Sequence, residues 1–174
     1  CADEPNRLPR AYHSGDFEEI AALLDAVRAR APRDVPVWAC GVSLGGSALL
    51  NWLGRAGTDA RATVARAAAV SAPIDLMAAG KAIDRGLNRL YASHFLHTLK
   101  PKALSMAQRF PGRIDASAVA RVRSMWAFDD VVTSRLHGFA DTADYWTRAS
   151  CKPWLKSIRI PTLVINAQND PFLP

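Results

Sequence analysis

Gly41-Val42-Ser43-Leu44-Gly45 is a G-x-S-x-G motif, the place in this sequence where residue types and spacing dictate a chemistry. A serine hydroxyl is a poor nucleophile unless it is exposed and a base takes its proton. A sharp strand-to-helix turn lifts such a hydroxyl clear of a sheet and leaves the serine in strained backbone geometry. Side chains two positions on either side would clash in that turn, which explains Gly41 and Gly45; Gly46 adds room for the helix to pack closely. The helix starting behind the serine aims N–H groups at a developing oxyanion, and the backbone N–H of Leu44 is predicted as one donor of the oxyanion hole. A nucleotide-binding turn would carry G-x-x-x-x-G-K-[ST] or G-x-G-x-x-G, and neither pattern is present.

A nucleophilic serine on this kind of turn needs an acid and a histidine, in chain order Ser, Asp/Glu, His. Asp170 is the best acid, in the loop Ala167-Gln168-Asn169-Asp170-Pro171 after a predicted strand. Catalytic groups of parallel α/β sheets gather at the carboxyl ends of strands. Asp75, after the preceding predicted strand, is the runner-up; an aspartate near a proline is also an ordinary turn residue. All four histidines, His13, His94, His97 and His137, precede Asp170. Chain order is a habit and not a law, so His13 and His137 stay open, but the base is expected outside this chain.

The elements that position these groups follow from patterning. Asp16 with Glu19 is a plausible capping box, and Phe17, Ile20, Ala21, Leu24 and Val27 fall at helical spacing, which predicts a helix over 16–30. Val35–Val42 is a short apolar run suited to a strand buried on both faces, with Pro36 at its start. A helix over Leu44–Leu53, closed by Gly54 and Gly57, follows it. Strands are predicted at Ala67–Ser71, ended by Pro73, and at Thr162–Asn166, entered through Pro161. Strands separated by helical patterns indicate an α/β fold with a parallel sheet. Roughly 90 residues separate Ser71 from Pro161, where a crossover needs only one helix. Residues 74–157 therefore read as an inserted helical subdomain, with 1–73 and 158–174 as core. Its stripes are Ile83, Leu87, Leu90 and Tyr91, then Val119, Val122 and Trp126. Its aromatic residues are read as its own core and as partial lining of a ligand cavity.

The chain has 174 residues, 49% of them hydrophobic and 22% charged, an ordinary globular composition long enough for one domain. No apolar run approaches the roughly 20 residues of a membrane span, and no secretory leader pattern opens the chain. Net charge is +6, with the basic residues scattered and no basic tail. Basic residues interleaved with aromatics on one element are missing, so nucleic acid is not an expected partner. The three cysteines, Cys1, Cys40 and Cys151, form no C-x-x-C pair, so zinc is not suggested, and no metal or cofactor is expected. Their wide spacing and odd number argue against a disulfide framework and for a reducing, cytoplasmic location. Cys40, in an apolar stretch, is expected to be buried.

Four stretches, in order along almost the whole chain, carry a family resemblance. They are Glu4-Pro5-Asn6-Arg7 with Tyr12-His13-Ser14-Gly15-Asp16; Gly41 to Gly46; Phe128-Asp129-Asp130 with His137-Gly138-Phe139-Ala140-Asp141 and Tyr145; and Asn169-Asp170-Pro171-Phe172. The second is shared by very many hydrolases, and the others are more specific. Together they resemble α/β-hydrolases of the YheT type, a branch related to eukaryotic abhydrolase-domain lipases. The resemblance implies an esterase or lipase-like enzyme with Ser43 as nucleophile and Asp170 as triad acid. It implies that residues 74–157 form a lid and that residues 1–12 lie at the active-site rim. Asp129, Asp130 and His137 are treated as lid-anchoring residues. It also implies that the chain is an internal piece, with the second oxyanion donor before Cys1 and the catalytic histidine after Pro174.

The function expected on these grounds is hydrolysis of a hydrophobic carboxylic ester through an acyl-enzyme, with a small-molecule substrate. The alternative is a non-catalytic α/β module that binds a hydrophobic ligand or a partner protein. With three strands alone, the Val35–Val42 strand would keep an unpaired edge and an uncovered apolar face, so the chain by itself is expected to be poorly soluble and inactive.

Overall fold

The computed structural model describes residues 6–173; the expectations on Cys1, Glu4, Pro5 and Pro174 lie outside the described residues. The chain divides into two compact units. One comprises residues 13–76 and 148–173, the other residues 6–12 and 77–147.

The first unit is an α/β structure. Helix α1 (Phe17–Arg30) leads to strand β1 (Trp38–Val42), helix α2 (Leu44–Ala56), strand β2 (Arg66–Val70) and, after the helical segment, strand β3 (Thr162–Ile165). The three strands form one fully parallel sheet in the order β1-β2-β3. Helix α2 is apolar nearly all round and is buried continuously from Gly46 to Gly54, as a helix wrapped by core must be. Its Leu49, Leu50 and Leu53 pack with Leu24 of α1, Val64, and Ala67 and Ala69 of β2. The alanines of β2 keep the central strand slim, so the helix and sheet approach closely.

The second unit is helical. It contains most of α3 (Leu76–Ile83), then α4 (Arg89–Arg109), α5 (Ala116–Arg121), α6 (Met125–Phe128), α7 (Ser134–His137) and the start of α8 (Thr142–Ala149). Its core joins Leu96 and Ala103 of α4 to Ile114, Val119, Val122, Phe128, Val132 and Leu136. Asp115 and Ser124 cap α5 and α6, accepting from the N–H groups of Ser117 and Ala127. A single π-helical turn, Asp129–Thr133, joins α6 to α7.

Several expectations are corrected. Strand β1 begins at Trp38 and not at Val35, because Val35 closes a turn on the Pro32 carbonyl and Pro36 has no N–H for the ladder. Helix α2 runs through Gly54 and ends at Gly57, which has φ +55°. Gly54 is a packing residue instead, since a Cβ there would strike the backbone carbonyl of Trp154. Asp16 stands at the start of α1 but makes no side-chain capping bond.

Strand β1 is covered on one face only. Gly41 is buried, while Trp38, Cys40 and Val42 lie on an exposed face, so Cys40 is an exposed free thiol and not a buried one. Strict alternation along a strand sends Cys40 to the side opposite Gly41. Leu163, Val164 and Ile165 of β3 are also exposed. In the helical unit, Val119 and Val122 are core as expected, but Leu87, Leu90 and Tyr91 are exposed. A 3-10 turn at Gly86–Asn88 interrupts the helical phase there, and α4 buries Ala92, Leu96 and Ala103 instead. No helix among the described residues is long and apolar enough to cross a membrane.

Candidate active site

The turn from β1 to α2 is built by close backbone approach. A Cβ on Gly41 would come within 2.6 Å of the Gly45 carbonyl oxygen and 2.7 Å of the Gly46 Cα. A Cβ on Gly46 would meet the Ala72 side chain at 2.9 Å and the Gly41 oxygen at 3.0 Å. Both contacts are too tight for any side chain, so Gly41 and Gly46 are required by geometry. Ser43 between them has φ 52° and ψ −124°, a conformation a non-glycine residue adopts only under constraint. The constraint is a hydrogen-bonded one: the Ser43 N–H donates to the Val70 carbonyl at 2.8 Å, and its own carbonyl accepts from Ser47 N–H at 3.1 Å. The side chain of Ser43 is exposed and that of Leu44 is half-buried.

Helix α2 has no acidic residue in its first turn, so the positive end of its dipole is not neutralised there. The N–H groups of that turn have no acceptor inside the helix. An anionic oxygen beside Ser43 would meet both effects.

The parallel register brings the other expected residues to the same end of the sheet. Val42, Val70 and Ile165 form one row across the three strands. The Ser43 turn, the Ser71 turn and the loop to Asp170 therefore all leave the sheet at its carboxyl edge. Asp170 is half-buried, and its Oδ1 accepts from the Phe172 N–H at 2.9 Å, which holds the carboxylate in a tight turn. Asp75 is placed differently: its carboxylate forms an ion pair with Lys152 at 3.0 Å.

The four histidines have different local settings. His13 is buried and its Nδ1 accepts from the Gly15 N–H at 3.1 Å, which leaves the proton of the neutral ring on Nε2. In the helical unit, the His137 Nε2 accepts from the Ala11 N–H at 3.2 Å, fixing the opposite tautomer. His94 and His97 are exposed on α4.

Two features beside the turn went unread in the sequence. Ser71 has φ 48° and, with Ser43, makes up the non-glycine residues of positive φ among those described. It follows the central strand as Ser43 follows β1, and its N–H donates to Ile165 at 2.8 Å. Nothing in Ser71-Ala72-Pro73 announces that conformation. The second feature is a buried polar cluster behind the turn. The Ser14 and Ser47 hydroxyls are hydrogen-bonded at 2.5 Å, Ser47 approaches the Cys151 Sγ at 3.7 Å, and Asn51 Nδ2 donates to the carbonyls of Ser14 (3.1 Å) and Ala149 (2.7 Å). This cluster ties two loops to α2, and burial pushes the Cys151 thiol above its ordinary pKa. Ser43, Ser47 and Asn51 recur at intervals of four, one stripe of a helix, and that spacing was the available signal.

In the helical unit, the Asp129 carboxylate is buried on the π-turn. It accepts from the Thr133 hydroxyl at 2.6 Å and from the Trp146 indole N–H at 2.8 Å. Burial raises its pKa to about 6 against the lowering effect of those two bonds, and the charge of Asp84 adds to the rise. Asp130 is half-buried beside it.

The family described as alpha/beta hydrolase fold matches residues 2–174. The chain belongs to the α/β-hydrolase family. Relatives named as esterase, phospholipase and lipase are among those it matches. It is 38% identical to the protein named "Putative esterase YheT" of Escherichia coli (strain K12), over 99% of this chain and 51% of that protein. It is 33% identical to phospholipase ABHD3 of Mus musculus, over 99% of this chain and 42% of that protein. It is 27% identical to the monoacylglycerol lipase of Saccharomyces cerevisiae, over 99% of this chain and 39% of that protein. The chain thus spans about half the length, or less, of the curated relatives it matches. No solved structure matches it.

Proposed function

We propose that this chain carries the nucleophile and the acid of a serine-dependent carboxylic-ester hydrolase that acts on a hydrophobic acyl ester. The observation that carries the reading is Ser43, exposed at φ 52° on a turn that only glycine at 41 and 46 permits. Strain of this kind, on the order of 1–3 kcal/mol, persists where function requires it.

In the proposed reaction a histidine base accepts the Ser43 hydroxyl proton as Oγ attacks the ester carbonyl. The tetrahedral oxyanion accepts from the Leu44 N–H. The imidazolium returns the proton to the departing alcohol, leaving an acyl-serine. Water, deprotonated by the same histidine, attacks the acyl group, and the carboxylic acid leaves as Ser43 regains its proton. Asp170 holds the histidine in the productive tautomer. The base and the second oxyanion donor are assigned to parts of the protein outside this chain, consistent with relatives of about twice its length. The helical unit is assigned the role of a lid over a hydrophobic acyl chain, with Asp129, Asp130 and His137 anchoring it, and the location is assigned as cytoplasmic.

A fluorophosphonate probe tests this reading. In the full-length protein it should label the peptide containing Ser43, and Ser43→Ala should abolish the label. Equal labelling of wild type and Ser43→Ala moves the nucleophile to another residue, and no labelling in either leaves a non-catalytic binding module; both reject the assignment.

A further inference from the structure

The segment Met77–Ile114 carries seven Lys and Arg residues against one acid, Asp84, so its net charge of +6 equals that of the whole chain. The single acid is engaged by backbone. Its two carboxylate oxygens accept from the backbone N–H groups of Met125 (2.8 Å) and Trp126 (2.9 Å).

The same segment exposes its apolar side chains. Leu87 on the 3-10 turn is 82% exposed, and Leu90, Tyr91 and Phe95 on the first turns of α4 are 71%, 52% and 41% exposed. These are not part of the core, which α4 meets with Ala92, Leu96 and Ala103. A lone exposed leucine is ordinary, but four large apolar residues within nine positions are not. Arg85 and Arg89, both exposed, are interleaved with them.

Exposed apolar side chains beside exposed cations within one short segment match the boundary between lipid headgroups and acyl chains. Single-stranded nucleic acid would match the charge but not the two most exposed residues, since Leu87 and Leu90 offer no ring for a base to stack on. An acidic protein would match the charge equally; the graded exposure of aliphatic before aromatic residues favours insertion into a bilayer.

We propose that the Gly86–Phe95 surface docks on an anionic lipid bilayer, with Leu87 and Leu90 inserted below the headgroups and Arg85 and Arg89 on the lipid phosphates. The docking is independent of Ser43 and requires no turnover.

Sedimentation of the full-length protein with vesicles tests it. Phosphatidylcholine vesicles containing phosphatidylglycerol should bind at least about tenfold more protein than pure phosphatidylcholine, and salt should weaken the binding. Arg85→Gln and Arg89→Gln should each lower the partition coefficient about fivefold. Leu87→Ser with Leu90→Ser should lower it on the order of a hundredfold, while Arg33→Gln, on exposed chain after α1, should leave it unchanged. If the leucine pair fails to fold, the arginine pair reads the same surface. Equal binding to neutral vesicles, equal losses for Arg33→Gln, no loss for the three patch variants, or binding only to a single-stranded oligonucleotide overturns the proposal. The Ser43→Ala protein should dock like wild type, so loss of docking and loss of catalysis are read separately.

Discussion

The backbone N–H of Ser43 donates to the carbonyl of Val70 at 2.8 Å, so the β1–β2 ladder extends one residue past the strand and into the turn. That bond holds Ser43 at φ 52°. The strained residue is thereby anchored to the central strand, and the turn is part of the sheet and not a loop appended to it.

Replacing Ser43 by glycine should separate strain from chemistry. Glycine accepts φ near +50° without penalty, so Ser43→Gly should raise stability by about 1 kcal/mol and abolish ester hydrolysis. Thermal unfolding of full-length wild type and variant, with an ester assay on each, checks both halves. An active variant removes Ser43 from the chemistry.

Asn51 donates to Ser14 and Ala149 from a fully buried position. Asn51→Ala leaves two carbonyls without their donor and opens a small void. The expected loss is about 2–4 kcal/mol, measured by urea unfolding. A loss under about 0.5 kcal/mol would mean that water replaces the side chain at little cost.

This residue also shows what was legible and what was not. The G-x-S-x-G turn, the strands at 67–71 and 162–166 and the first two helices could be read within a few residues, because period and glycine placement are local signals. Asn51 was signalled only by its four-residue spacing from Ser47, and its role depends on the carbonyls of Ser14 and Ala149 that reach it. Cys40 was misjudged for a related reason: an apolar run does not say whether both faces of its strand are covered. Leu87 and Leu90 looked like core because the helical period was carried through a segment that the 3-10 turn at Gly86–Asn88 breaks. The place of Asp170 in a loop after β3 was legible, whereas its bond to Phe172 was not.

Asp129 predicts a pH dependence. Burial pushes its carboxyl up to about 6 from the ordinary aspartate value of 3.8. The folded state therefore favours the neutral form. Its contribution is fully present below about pH 4 and is lost as pH rises toward 6, a change of on the order of 3 kcal/mol. Asp129→Asn also loses one acceptor, a deficit that does not vary with pH. The stability of wild type relative to Asp129→Asn should thus fall between pH 4 and 6, as read by urea unfolding at several pH values. A constant difference would place the carboxyl in a more hydrated site.

The exposed face of β1, with Trp38 70% exposed beside Cys40 and Val42, predicts self-association. The 174-residue chain made alone should aggregate and lack esterase turnover, and Trp38→Lys with Val42→Lys should raise its solubility. Size-exclusion chromatography and an ester assay read both; a soluble monomer with turnover contradicts this expectation.

The most direct test of the central claim is intact-mass and peptide mapping of the full-length protein quenched during turnover of a p-nitrophenyl ester of a medium-chain fatty acid. The account predicts a burst of p-nitrophenol equal to the enzyme concentration and an acyl adduct on the peptide bearing Ser43. Turnover without an adduct at Ser43, or with an adduct on another residue, would contradict it.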